Sequence, residues 1–210
     1  MKDKTEQVIK VYNAIAEKYA EIFDEKSFSD KPFLDKFLKH LKKRSRVLDL
    51  GCGSGRPAKY LFDKGIVVEG IDLSTKMIKI AKSKYPKINF KKADMRKMNY
   101  KENSFDGIWA GYSLFHINKK GFLSVIRKIK QILKPNSILG LVMQEGKGEA
   151  EMREPLLPNE KTYLWLYSRR ELRDILKKNR FKVLDYSFKK PKLKGEFPYR
   201  KLLFIAKVMK

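Results

Sequence analysis

The chain has 210 residues, 42 % of them hydrophobic, which is enough to bury the core of one domain and short for two. No apolar run reaches the 18 residues that a membrane-spanning helix needs, Met1 to Glu6 lead into no apolar stretch of a secretory signal, and the single cysteine, Cys52, excludes an internal disulfide, so a reducing cytoplasm is the expected location. The net charge of +25, from 49 Lys and Arg against 24 Asp and Glu, admits nucleic acid as a possible partner but excludes nothing by itself.

In chain order, Val8, Val11, Tyr12, Ile15, Tyr19, Ile22 and Phe23 repeat near every 3.6 residues and predict an amphipathic helix over 8–23. A second helix is expected over Pro32 to Leu41, closed by the basic Lys42-Lys43-Arg44. Val47-Leu48-Asp49-Leu50 then reads as a buried strand that opens into Gly51-Cys52-Gly53-Ser54-Gly55. Glycines at alternate positions allow a tight turn and a close approach of backbone to ligand, and Pro57 suits the start of the helix running to Lys64. Ile66 to Ile71 predicts a second strand ending at Asp72, about 20 residues past the first glycine, where Rossmann-like sites place a carboxylate on ribose hydroxyls. Ser74 can cap the next helix, and Ile88 to Lys91 reads as a third strand.

A dinucleotide site would want its third glycine where the chain has Arg56, which disfavours a nicotinamide cofactor. The acid followed by Gly-x-Gly-x-Gly instead resembles the first motif of the class I S-adenosylmethionine-dependent methyltransferases. Four further segments carry the resemblance: Asp72-Leu73-Ser74-Thr75-Lys76-Met77, Ala93-Asp94-Met95, the strand Ser104 to Ala110, and Leu133-Lys134-Pro135-Asn136-Ser137. In the last, Asn136 stands where the family has glycine, and Asn also tolerates a left-handed backbone. Tyr12 to Tyr19 resembles the opening helix of the ubiquinone-biosynthesis subgroup.

The resemblance implies an α/β fold: a Rossmann-like, doubly wound, seven-stranded sheet of order 3-2-1-4-5-7-6, with strand 7 antiparallel and an N-terminal helical cap. It implies one methyltransferase domain over 1–210, divided into a cap (1–44), a cofactor-binding core (45–145), a substrate-side excursion (146–168) and a C-terminal helix with two strands (169–210). The fifth strand is expected over Ile138 to Met143. Glu149 to Thr162 is expected as a surface excursion, followed by an aromatic segment, Tyr163 to Tyr167, forming an added strand or lid edge. A capping box at Ser168-Arg169-Arg170-Glu171 opens a helix to Lys178, and the last strands are expected at Phe181 to Phe188 and Arg200 to Val208.

The cofactor implied is S-adenosylmethionine, held by Tyr19, Asp49, Gly51, Cys52, Gly53, Gly55, Asp72, Leu73, Met77, Asp94, Met95 and Ala110; no metal is part of this reading. His116, after the fourth strand, is the candidate base or substrate contact, and its alternative is packing beside Phe115. Methyl transfer needs chiefly alignment of donor and acceptor, so a base is optional. A small-molecule acceptor is favoured because 38 of the 49 basic residues are Lys spread through every segment, whereas nucleic-acid readers favour Arg with interleaved aromatics. The alternatives are an RNA-directed methyltransferase and a non-catalytic module that binds the cofactor.

Overall fold

The computed structural model describes residues 4–26, 31–193 and 195–210. Residues 1–3 and 27–30, within the expected cap, and 194, in the linker before the last strand, lie outside the described residues.

Seven strands form one sheet: β1 (Arg46–Leu50), β2 (Val67–Asp72), β3 (Asn89–Lys92), β4 (Phe105–Gly111), β5 (Leu133–Gln144), β8 (Phe181–Lys189) and β9 (Lys201–Val208), in the order β3-β2-β1-β4-β5-β9-β8. Counting only these seven, this is the expected 3-2-1-4-5-7-6, and β9 runs antiparallel to β5 and β8. The first five are parallel, so Gly51, Asp72, Lys92, Gly111 and Gln144 stand along one edge of the sheet.

Period-2 alternation distributes side chains to two cores. Leu48, Leu50, Ile108, Leu139 and Leu141 face α5 (Lys119–Ile132) and α6 (Arg169–Lys178). Val47, Trp109, Ile138 and Val142 face α2 (Lys31–Leu38), α3 (Arg56–Asp63) and α4 (Thr75–Lys84). The first helix, α1 (Thr5–Ala20), widens into a π-helical turn over Glu21–Lys26, so the expected helix over 8–23 changes type after Ala20. Ser74 and Ser168 cap α4 and α6 by accepting the N–H of Met77 and Glu171 (both 3.1 Å). Glu171 does not complete the expected box, because its carboxylate pairs with Lys119. Asn118 caps α5 in the same way through Gly121 N–H (2.9 Å).

Two expectations change form. The turn at Leu133 to Ser137 belongs to β5, which bulges between its pairings Phe105↔Leu133 and Gly107↔Ile138, with Asn136 at φ +65°. The stretch expected as an excursion folds as a hairpin, β6 (Gly148–Glu154) with β7 (Leu157–Leu166), which places the aromatic segment in β7. Alternation in Thr162, Leu164 and Leu166, all buried, gives β7 one inward face. No helix among the described residues is long and apolar enough to cross a membrane.

Gly140 lets Trp109 and Phe37 close over β5: a Cβ there would lie 2.6 Å from the indole. Gly140→Ala is expected to destabilise the chain by about 1–3 kcal/mol through overpacking. Urea unfolding checks this, and an unchanged midpoint would mean that the indole can give way.

Candidate functional site at the carboxyl edge of the sheet

The turn after β1 is built by positive-φ glycines: Gly51 at +78°, Gly53 at +53° and Gly55 at +87°. Its backbone is fastened to the end of β2. Gly51 and Cys52 N–H donate to the Ile71 carbonyl (2.8 and 3.0 Å), Gly53 N–H donates to Asp72 Oδ2 (3.0 Å), and Gly55 N–H donates to the Cys52 carbonyl (2.9 Å). Asp72 Oδ1 also accepts Ser74 N–H (2.8 Å). Burial raises the Asp72 carboxyl above its ordinary value, opposed by the N–H groups of Ser74, Gly53 and Leu73. With four N–H groups occupied, the turn does not offer the open set of donors that a pyrophosphate site uses. A Cβ on Gly51 would sit 2.2 Å from Ser113 Cβ, yet one on Gly53 would meet no protein atom within 4 Å. The turn is therefore packed at Gly51 and open at Gly53.

That opening belongs to a cavity between α1, the glycine turn, the end of β2 and the segment after β4. Nine of the thirteen residues expected at the site line it: Tyr19, Gly51, Gly53, Asp72, Leu73, Met77, Asp94, Met95 and His116. Asp49, Cys52, Gly55 and Ala110 do not. Asp49, 1 % exposed, accepts the backbone N–H of Ala58, and burial beside Asp72 pushes its carboxyl up to about 8. Cys52 is buried with its Cβ towards Gly70, and burial pushes its thiol up, away from nucleophilic use. Gly55 packs against Phe90 and Ala81, and Ala110 points into the core on the α5 side. Strand alternation explains Ala110: the next residues, Gly111, Tyr112 and Ser113, reach the cavity instead.

Asp94, expected to meet an adenine amine, is gripped by the Arg96 guanidinium (Nη2–Oδ2 2.8 Å), which holds its carboxyl below the usual range against the opposing effect of burial. Arg96 also donates to Thr5 Oγ1 (2.8 Å) and so ties α1 to the site. Asn13 Oδ1 accepts Ser74 Oγ–H (2.8 Å) and Lys76 N–H (3.1 Å), latching α1 to the start of α4. Sequence reasoning missed Asn13, although a polar residue on the covering face of α1 was the available signal.

His116 is held from both sides. Its Nδ1 lies 3.0 Å from the Tyr163 carbonyl, which can only accept, so Nδ1 carries the proton and Nε2 accepts from the Tyr12 hydroxyl at 2.9 Å. Burial pushes the imidazole down to about 4 and the Tyr12 phenol well up. Since Nε2 is already occupied, His116 reaches the cavity as part of a Tyr12–His116 pair. The expected packing beside Phe115 is also present, at 4.5 Å between ring centroids.

Tyr12, Tyr19 and Tyr112 line this cavity and also an adjoining one. The second cavity is walled by Ile15, Phe23, Phe115, Leu156 and Phe197, with Gln144, Glu154 and the buried ion pair Lys201–Glu196 among them. Burial raises the Glu154 carboxyl to about 7. None of these polar residues was singled out from sequence. They come from the end of β5, the hairpin, the linker before β9 and the start of β9, and only the sheet register brings Gln144 beside Lys201.

His116 titrates at about 4 in the fold against an ordinary 6.5. Between those values the unfolded chain takes up a proton that the folded chain does not, so stability falls as pH drops through that window. His116→Asn removes this contribution. In urea unfolding the stability of the variant relative to wild type is expected to rise as pH falls from 6.5 to 4, and a pH-independent difference would contradict the buried, neutral imidazole.

Residues 47–136 match the protein family described as "Methyltransferase domain". Among curated proteins, the chain is 32 % identical over 103 residues to a methyltransferase of Streptomyces halstedii (46 % of this chain, 36 % of the relative). It is 33 % identical over 108 residues to the 27-O-demethylrifamycin SV methyltransferase of Amycolatopsis mediterranei (48 % of this chain, 39 % of the relative). The match thus spans well under two thirds of either relative. Among solved structures, the 1,6-didemethyltoxoflavin-N1-methyltransferase of Burkholderia thailandensis, solved with S-adenosylhomocysteine bound, superposes with TM-score 0.77 at 17 % identity over 98 % of this chain and 89 % of that one. The sheet order and these matches agree: the chain has the fold of the class I S-adenosylmethionine-dependent methyltransferases, and its residues 47–136 match the methyltransferase-domain family.

Proposed function

We propose that the chain transfers a methyl group from S-adenosylmethionine to a small-molecule acceptor. The observation that carries this reading is the pair of adjoining cavities separated by the shared wall of Tyr12, Tyr19 and Tyr112, one at the glycine turn and one closed by aromatic side chains. When bound, S-adenosylmethionine supplies an electrophilic methyl group, and it carries no phosphate, which fits a glycine turn whose N–H groups are already used. Gly53 leaves room for the nucleoside, Asp72 accepts from the ribose hydroxyls, Leu73 and Met95 flank the adenine, and Tyr19 stands towards the methionine end. The Tyr12–His116 pair borders the acceptor, and α1 excludes water from both cavities.

RNA as acceptor is the weaker reading. The basic groove formed by Arg169, Arg173, Lys177, Arg180 and Lys182 lies near the end of β9 that pairs with the start of β5, opposite the edge that bears the cavities. A polyanion held there would not reach the site. The names of the curated relatives, one a demethylrifamycin methyltransferase, also favour a small acceptor.

Radiolabelled methyl transfer into an extract fractionated into small molecules, RNA and protein tests this function. Label is expected in the small-molecule fraction, whereas label in RNA would overturn the acceptor class. Asp72→Ala is expected to weaken binding of the cofactor by about 1.5–3 kcal/mol in calorimetry, the scale of lost hydrogen bonds to a charged group. Unchanged affinity would remove Asp72 from the ribose role.

A further inference from the structure

The second cavity contains two buried oxygens with no hydrogen-bond partner in the protein: Oε1 of Gln144 and Oε2 of Glu154, on side chains whose residues are 2 % and 3 % exposed. An unpartnered buried acceptor costs about 1–3 kcal/mol, more when charged, so such atoms beside a cavity call for an occupant. Gln144 Oε1 can only accept, and Glu154 Oε2 accepts when its carboxyl is ionised, so an occupant that meets both must donate. The other Glu154 oxygen takes only the Leu156 N–H, at 3.4 Å.

The surroundings narrow the donor to a cation. Among the described residues lining this cavity there are two carboxylates, Glu154 and Glu196, and one ammonium, Lys201. Lys201 is 4 % exposed and paired with Glu196, and it lies over the Tyr112 ring, 5.4 Å from its centroid. Among the described residues Glu154 forms no ion pair: Lys18 donates to the Leu156 carbonyl instead, and the Tyr12 and His116 side chains are engaged with each other. The cavity is therefore one positive charge short when Glu154 is ionised, within a chain whose overall charge is +25. Its walls are aromatic faces, Tyr19, Phe23, Phe115 and Phe197 among them, which attract cations and exclude hydrated anions.

We propose that this cavity selects an organic amine, bound as its ammonium between Glu154 and Gln144 with its apolar body against the aromatic wall. This deepens the methyltransferase reading and rests on it, since it names the chemical class admitted to the acceptor side. The ammonium donates to Glu154 Oε2 and Gln144 Oε1, and Lys201–Glu196 closes the far wall against a second charge. Glu154 is thereby a specificity residue of the acceptor cavity.

The test is calorimetric titration of the full chain, saturated with S-adenosylhomocysteine, with three probes of one shape: 2-phenylethylammonium, 2-phenylethanol and phenylacetate. The ammonium is expected to bind at least tenfold more tightly than the alcohol, and phenylacetate more weakly than either. In Glu154→Gln the preference for ammonium over alcohol is expected to fall below twofold, with the affinity for S-adenosylhomocysteine unchanged. The thermal midpoint of that variant is expected to be equal to or above that of wild type, because an unpaired buried carboxylate has been removed. Equal binding of ammonium and alcohol, preference for phenylacetate, a preference that survives in Glu154→Gln, or no probe bound by the saturated protein would each overturn the proposal. Failure of S-adenosylhomocysteine itself to bind would instead overturn the methyltransferase reading.

Discussion

The site depends on one junction, the fastening of the turn after β1 to the end of β2. Ile71 offers its carbonyl to two consecutive N–H groups, and Asp72 offers one carboxylate oxygen to Gly53 and the other to Ser74. The turn and the start of α4 are thereby fixed to the same residue pair. The positive φ at Gly51 and Gly53 makes this closure possible, and close packing of Gly51 against Ser113 brings the segment after β4 to the same place. Ser113 in turn donates to the Leu50 carbonyl at 2.5 Å, so three strands are joined at their carboxyl ends by short polar contacts. The open space that remains, above Gly53, is a product of that closure.

The legible and the illegible parts of this molecule divide by the range of the interactions that define them. β1, β2 and β4 are buried on both faces and read as apolar runs, and α1, α4 and α6 carry periodicity or serine caps that act within four residues. Asp72 was legible because its partner, Gly53, lies at a fixed distance in the same βαβ unit. Asn136 at φ +65° was legible from its residue type alone. The hairpin was not, because Pro155, Pro158 and mixed charge read as loop, while its inward face is made by alternate residues that pack against distant segments, α1, the turn after β4 and the sheet. Ala110 was misplaced by one residue, enough on a strand to turn a side chain from cavity to core. Gln144, Glu154, Glu196 and Lys201 could not have been found as a group, since they are contributed by four separate segments.

Overall charge and local charge point in opposite directions here. The ion pairs at the surface are partly exposed, as in Lys10–Glu160 and Lys161–Glu151, and screening by water leaves each of them a small contribution. They leave most lysines as a solvated coat that bears little on the interior. Behind that coat the groups that line the cavities are carboxylates, tyrosines and a neutral histidine, with the Lys201 ammonium matched by Glu196 and the Arg96 guanidinium by Asp94. A reading based on total charge would therefore choose an anionic partner, while the interior is arranged for neutral or cationic groups.

The covering helix α1 is held by contacts of a different kind from the strands beneath it, and this follows from what it buries. Its apolar contact is a separate small cluster, Val11, Ile15 and Leu156, with partly buried Tyr12, Tyr19, Ile22 and Phe23 around it. Its polar ties are short but peripheral: Lys4 to Glu149, Gln7 and Lys10 to Glu160, and Lys18 to the Leu156 carbonyl. The exposed pairs contribute little, and the few buried side chains supply about 1.5–3 kcal/mol each. The strands beneath are locked by ladders on both sides and by two cores. Because α1 lines both cavities and takes no part in the sheet, it is the element that can shift while the sheet stays intact. Asn13 and the Tyr12–His116 pair are the contacts that such a movement breaks next to the site. The tyrosine–histidine contact beside the cavities thus also holds α1 in place.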